Sequence, residues 1–260
     1  MPPNLYPLID QIVQNYHSRS EAIGTAIVHD SFPVLFFGNL DGYLSSHPRI
    51  LTVARNPSVK EFSESGNNFR RWENGQEIYQ LFNSVNRIWS TEDKDMYIDS
   101  LCNYFSLNYN EWFTRCFNHL LQGMRQDYRP SESDQNPIHT DFCSTLTTTE
   151  KWSELPHSLR KDLRNNERGL WFKLEKKLNP DILLTALSRE EDSDLFEDSL
   201  VAHFRAKREK KFPLRVFHPV RSRTHYVELW KGSSRNKVKW LIDAKQAIFV
   251  RGASGNQKSK

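Results

Sequence analysis

The side chains best suited to chemistry sit where apolar runs end. Arg49–Arg55 (RILTVAR) is followed at once by Asn56-Pro57-Ser58. An Asn that leaves a strand and is followed by Pro is a fixed amide with both donors and an acceptor. It can hold a water or read a planar base edge, but it is no strong base. The plain alternative is a turn Asn that caps the next helix. His218 leaves the run Leu214–Phe217 and is pinned by Pro219. A neutral imidazole there can donate to a developing anion; alternatively it is a structural histidine. Arg221, Ser222, Arg223 and Thr224 follow, with two guanidinium forks and two hydroxyls suited to phosphates. A solvated loop is the alternative. His139 and Asp141 alternate on Pro137–Ser144 and so face one side. They could bind a divalent metal or assist a base, but no third or fourth ligand has recognisable spacing. A His satisfied by a carboxylate fits better. Tyr104, Phe105, Tyr109, Trp112 and Phe113 read mainly as core, with one or two available to stack on a base.

These groups need a frame. Leu5–His17 has an apolar face at helical spacing, and Ile78–Trp89, Asp93–Tyr104, Glu111–Met124 and Leu170–Leu178 read as further helices. Ser193–Arg208 reads as a charged helix. Arg49–Arg55, Pro137–Ser144, Asp181–Leu187 and Leu214–Phe217 are short apolar strands. Lys237–Ile242 and Ala247–Val250 suit a hairpin. Phe32–Gly38 is a loop or edge strand, and Ser58 is placed to cap a helix from about Lys60. Strands separated by helices imply an α/β fold, a three-layer α/β/α sandwich around a mostly parallel four-stranded sheet. Such sheets bind ligands at the C-terminal ends of their strands. Those ends are Arg55–Ser58, Asp141–Ser144, Ser188-Arg189 and His218–Arg221. Residues 1–253 read as one domain with a basic part from about 205, and 254–260 as a disordered tail.

Composition narrows the classes. The 260 residues include 16 Phe, nine Tyr and seven Trp, ample for a core and unlike a disordered chain. No apolar run approaches a membrane span, and Met1–Tyr16 lacks the pattern of a signal peptide. Three widely spaced cysteines make neither a disulfide framework nor a CxxC pair, so a reduced, cytoplasmic protein is expected. No phosphate-cradling glycine-rich loop appears, and no cofactor or metal is expected. The net charge of +4 hides a division. From Arg205 onward, 16 Lys+Arg face only Glu209, Glu228 and Asp243, a net of +13 against −9 before it. Such a field suits a polyanion partner, with a solvated basic tail as the alternative.

Val53-Ala54-Arg55-Asn56-Pro57-Ser58 and His218-Pro219-Val220-Arg221-Ser222-Arg223, in that order and after strands, resemble the two motifs of the uracil-DNA glycosylase superfamily. Phe37-Gly38 looks like the Phe-Gly upstream of that family's first core strand. The likeness spans roughly 32–225. It implies a monofunctional DNA glycosylase that flips a nucleotide from DNA and hydrolyses its N-glycosidic bond. Asn56 would position water, and His218 would stabilise the departing base. Arg221, Ser222, Arg223 and Thr224 would engage DNA. Phe142 would stack on the base, in a pocket with Phe37, Arg55, Pro57, Ser58, His139, Asp141 and Ser144. The chain also departs from the pattern. Arg55 replaces a Gly, Val220 replaces a Ser, and the Asn that reads uracil is not evident at Asp141–Ser144. What the resemblance implies as substrate is therefore a modified or deaminated pyrimidine, either uracil in repair or a bulky cytosine such as glucosylated hydroxymethylcytosine in anti-phage defence. DNA is the expected partner, with no membrane and a monomer as the simplest state. The rivals are a metal-dependent nuclease built on His139 and Asp141, and a non-catalytic nucleic-acid-binding module.

Overall fold

The run Ile50–Ala54 forms strand β1 and is buried at every position. A strand with no polar alternation is what the middle of a parallel sheet requires, because both faces are covered. β2 (Ile138–Asp141) and β3 (Ile182–Thr185) are equally buried and pair with β1 on either side, both in parallel. The computed structural model describes residues 3–62, 69–107 and 109–187. Beyond these it describes three strands by their backbone, 200–205, 213–217 and 225–228.

Helices cover both faces of this parallel core. α1 (Tyr6–His17) buries Leu8, Ile9, Ile12 and Tyr16 and packs on α7 (His157–Leu178). α7 is tied to the sheet by the Trp171 indole, which donates to Thr140 Oγ1 at 3.0 Å. It ends at Asn179, a left-handed cap with φ of 47°, a conformation Asn tolerates better than most residues. Two short helices, α2 (Glu21–Ala26) and α3 (Leu40–Ser45), start on the side chains of Ser20 and Asn39. On the face that carries Thr52 and His139 lies an aromatic segment running to Tyr128, while α4 (Gly75–Asn83) and α5 (Thr91–Asn103) pack on each other and meet α1 through Tyr16 and Phe82 and through Asp10 and Lys94. α5 opens with a reciprocal capping box between Ser90 and Asp93. The Tyr128 hydroxyl meets Thr52 Oγ1 of β1 at 2.6 Å.

Several expectations change. α7 is far longer than Leu170–Leu178, because its first half is charged and hides the helical stripe of Leu163, Glu167 and Leu170. Glu111–Met124 is not one α-helix. A π-helical turn, Thr114–Asn118, precedes α6 (His119–Gly123), and Phe113 just before it and Phe117 within it both stay buried. Phe32–Gly38 is a loop with one antiparallel bridge, Phe37 to His139. Gly38 in it has φ of 122°, and a Cβ there would lie 3.1 Å from the Pro137 carbonyl.

The C-terminal part differs most. Within the expected helix Ser193–Arg208, Leu200–Arg205 is strand β4, since LVAHFR alternates as a strand does while the acids lie before it. β5 (Pro213–Phe217) and β6 (His225–Glu228) complete the order β2-β1-β3-β6-β5-β4. The sheet is thus wider than four strands. β6 runs parallel to β3, whereas β5 runs antiparallel to β6 and β4 antiparallel to β5. Among the described residues no helix is long and apolar enough to cross a membrane.

Candidate functional site

β1 leaves the sheet at Ala54, and the segment beyond it is held by its neighbours. Phe142 N donates to the Ala54 carbonyl at 2.9 Å. Cys143 N and Ser144 N both donate to the Arg55 carbonyl, at 2.8 and 3.0 Å. Ala186 N, past the end of β3, donates to the Val53 carbonyl at 2.8 Å. Three parallel strands therefore end together, as expected for a ligand edge in this class.

Asn56 sits half-buried at this edge. Its Nδ2 donates to Thr148 Oγ1 at 3.0 Å and to the Pro57 carbonyl at 3.2 Å. Thr148 Oγ1 in turn donates a hydrogen bond to the Glu150 carbonyl at 2.7 Å. Thr148 is itself positioned by its loop, where Val34, Val28 and Thr149 exchange backbone bonds with Thr145, Thr147 and Ala26. The amide orientation follows from these bonds. Both N–H donors are engaged, and Oδ1 accepts no hydrogen bond among the described residues. Arg55 is half-buried beside it, Pro57 is buried, and exposed Ser58 accepts from Lys60 N to cap the single 3-10 turn Val59–Glu61.

The second group lies on the face of β1 and β2 that meets the aromatic segment. Thr52 and His139 are register partners, as are Ala54 and Asp141. His139 is 1% exposed and its Nδ1 lies 2.9 Å from Thr52 Oγ1. Rings of Phe37, Trp112, Phe113 and Phe117 surround the imidazole, with centroids 4.8 to 5.8 Å away. Its Nε2 is 3.6 Å from Asp141 Oδ1, beyond hydrogen-bond reach. That oxygen is buried and has no hydrogen-bond partner. Burial raises the Asp141 carboxyl above its usual range, and the neighbouring His139 opposes this.

Glu61 joins this group from the turn after Asn56. It is 2% exposed. One carboxyl oxygen accepts from the Tyr104 hydroxyl and the other from Asn110 Nδ2 at 2.9 Å. Burial pushes its carboxyl up to about 7 despite these donors and nearby Arg71, and the field of Asp141 adds to the rise. Two buried carboxyls that sense each other and an imidazole thus share one face of β1 and β2, and an oriented amide stands at the exit of β1. Such perturbed groups concentrate at functional sites, although structural networks produce them too.

Not every expected residue joins them. Phe142 is fully buried on the opposite face, edge-on to Trp171 at 5.0 Å and to Phe172 at 6.1 Å. Strand alternation turns it away from His139 and Asp141, which corrects the expectation that it stacks on a base. Phe37 is packed against Trp72, Tyr104 and Phe113 and serves as a wall. Ser144 is fully buried, and its hydroxyl accepts from Leu146 N at 3.0 Å, a local turn bond. Thr145 Oγ1 donates to Glu167 on α7 at 2.9 Å, a separate buried contact whose carboxyl also rises to about 7 through burial.

His218, Arg221, Ser222, Arg223 and Thr224 lie outside the described residues. The strand that ends before His218 bears on the four ends first grouped at one edge. Phe217 is the partner of Tyr226, Tyr226 of Leu183, and Leu183 of Leu51. β5 therefore ends level with the beginnings of β1 and β3, not with Asn56. Glu228, the last residue of β6, is level with Thr185 and Val53 at the Asn56 edge. The structure thus corrects the expectation that Leu214–Phe217 supplies the fourth strand end there.

Glu61, Asn110, Thr52, Tyr128 and Thr148 were not legible as site residues. An acid in the stretch Val59-Lys60-Glu61-Phe62 looks like any surface acid, and only the fold brings it to Tyr104. Trp112 had a signal, as one of the aromatics weighed for stacking. It is 39% exposed and stands edge-on to His139 at 5.7 Å, between the buried group and solvent. Among the described residues no three His, Cys, Asp or Glu side chains gather as a metal site requires. No family model, curated protein or solved structure matches the chain.

Proposed function

We propose that the chain is a monofunctional DNA glycosylase that excises a modified or deaminated pyrimidine and leaves an abasic site. The observation that carries this reading is the Asn56 amide. Its donors are spent on Thr148 and Pro57, and its one acceptor is left open at the common exit of three parallel strands. An acceptor so placed orients a water without deprotonating it strongly. That suits a reaction in which the glycosidic bond breaks first and water adds to an oxocarbenium-like sugar. The half-exposed Trp112 beside His139 offers a ring for a base to stack on.

The same reading carries a finer architecture, a three-layer sandwich in which β6 is the fourth parallel strand beside β3. It takes DNA as partner, with the basic residues from 205 onward meeting the phosphates, in a monomeric cytoplasmic enzyme. By resemblance His218 would stabilise the departing base. The direction of β5 argues against that assignment, so His218 belongs in the test.

The test is a panel of oligonucleotides carrying single uracil, thymine-mismatch, hypoxanthine and modified-cytosine sites, incubated in EDTA and then cleaved with alkali. Abasic sites from at least one substrate are expected, and their loss in Asn56→Ala. A strict need for a divalent metal would move the reading to a nuclease. Binding with a steep salt slope and no base released would leave a binding module. His218→Ala with activity retained would assign leaving-group stabilisation to another residue.

A further inference from the structure

The loop that orients Asn56 is held from two sides. Cys143 N and Ser144 N donate to the Arg55 carbonyl, and Thr148 Oγ1 accepts from the Asn56 amide, so residues 143–148 hold the exit of β1 at both ends of the loop. Backbone bonds fix one edge of this loop to residues 26–34. Toward α7 the tie is a side-chain bond, from Thr145 Oγ1 to Glu167 Oε2 at 2.9 Å, and both residues are buried. The other hydroxyls add nothing on that side. Thr148 Oγ1 donates to the Glu150 carbonyl, and Thr147 Oγ1 is buried with no partner among the described residues. Resting on the glycosylase reading, we infer that Glu167 is a positioning residue: by fixing Thr145 on α7 it sets where Thr148 stands, and so where the open acceptor of Asn56 points.

α7 is a firm reference for such a link, because the Trp171 indole bonds it to Thr140 of β2. Small errors matter here, since a displacement of about 1 Å in a reacting group can cost about 100-fold in rate. The link also has a weak point. The groups that face Glu167 are Thr145 from the loop, Asn15 from α1 and the Tyr97 hydroxyl of α5, which feels its field. None of them is a cation, although Arg164 and Arg168 flank it along α7. Burial therefore raises its carboxyl to about 7, with Thr145 and Asn15 offsetting only part of the rise. The neutral acid suits the dry contact. The ionised form, reached as pH rises through about 7, must draw water to itself, which parts the loop from α7.

The experiment measures solvent exchange of the Asn56 side-chain amide protons by NMR and single-turnover base release from the oligonucleotide panel. The proteins are wild type, Thr145→Val, Asn56→Ala, the double variant and Glu167→Gln. Thr145→Val keeps the shape and removes the hydroxyl. It should speed Asn56 amide exchange and slow base release about 10- to 100-fold at unchanged DNA affinity. In the Asn56→Ala background it should slow release no further, as two residues acting through one group require. Glu167→Gln still accepts from Thr145 and cannot ionise. Wild type should lose Asn56 protection and base release as pH rises through about 7, and Glu167→Gln should lose less of both. Glu61, which titrates in the same range, is present in both proteins and cancels from that comparison. Unchanged Asn56 exchange in a Thr145→Val protein that melts as wild type does would overturn the inference and leave the glycosylase reading standing. Additive losses in the double variant, or parallel pH profiles for wild type and Glu167→Gln, would do the same. If no oligonucleotide releases a base, the glycosylase reading falls, and the Asn56 exchange alone decides whether Glu167 holds the loop.

Discussion

Glu61 is a buried acid whose protonated form suits its surroundings, which makes folding stability depend on pH in a definite direction. Its carboxyl rises from 4.5 to about 7 because burial removes it from water. The folded state therefore binds a proton that the unfolded chain has already released. A group of this kind adds stability that is fully present below about pH 4.5 and lost as pH rises to about 7. The shift, at about 1.4 kcal/mol per pH unit, amounts to about 3 kcal/mol for Glu61 alone. Glu61→Gln keeps the shape and one acceptor and cannot ionise. The assay is urea unfolding followed by tryptophan fluorescence from pH 5 to pH 8, with Trp72 a local reporter because its indole donates to the Glu61 carbonyl. At pH 5 the variant should match wild type within about 1 kcal/mol. At pH 8 it should be the more stable by about 2 kcal/mol, with a flatter pH profile. Parallel profiles for the two proteins, or a variant that loses most at pH 8, would refute the reasoning, since Glu61 would then be ionised and satisfied in the fold.

Asn56→Ala should lower base excision by about 100-fold or more while leaving DNA binding within a few-fold, read from single-turnover rates and anisotropy. Trp112→Ala should weaken substrate capture by about 1–3 kcal/mol, seen in KM more than in kcat, because the ring is half-exposed and holds little of the core together. Gly42→Ala should destabilise by about 1–3 kcal/mol in urea unfolding, since a Cβ there would lie 2.2 Å from Asn136 Oδ1 within a packed turn. Replacing Arg221 and Arg223 by Gln should weaken DNA binding and flatten its logarithmic salt slope by about one unit each, whereas Lys258→Gln with Lys260→Gln should change neither.

The buried parallel strands were the most legible part of the fold. RILTVAR and DILLTAL have no polar alternation, and a strand covered on both faces needs none. α7 ends at Leu178 as expected, because Asn179 accepts the left-handed cap that Pro180 then follows. The start of α7 was hidden by charge, and β4 by the acids that precede it. Asn56, His139 and Asp141 stood out because strand ends and alternation are local properties. Glu61, Thr148 and Tyr128 did not, since their roles depend on contacts 76 to 92 residues apart in sequence or on a burial no local pattern announces. Strand direction in the C-terminal part was equally invisible. The run LRVF reads the same in either orientation, and only its pairing with β6 decides it.

That pairing also sets how far the C-terminal strands lie from the polar group. The acidic first 204 residues build β1, β2, β3 and the polar group around His139, while β5 and β6 belong to the basic part. In the order β2-β1-β3-β6-β5-β4, β6 is three strands from β2 and β5 four. At about 4.8 Å per strand, the β6 backbone lies about 14 Å from the strand that carries His139 and Asp141. A ligand that touched both would have to span β3 and β1, and so pass the exit of β1 where Asn56 stands.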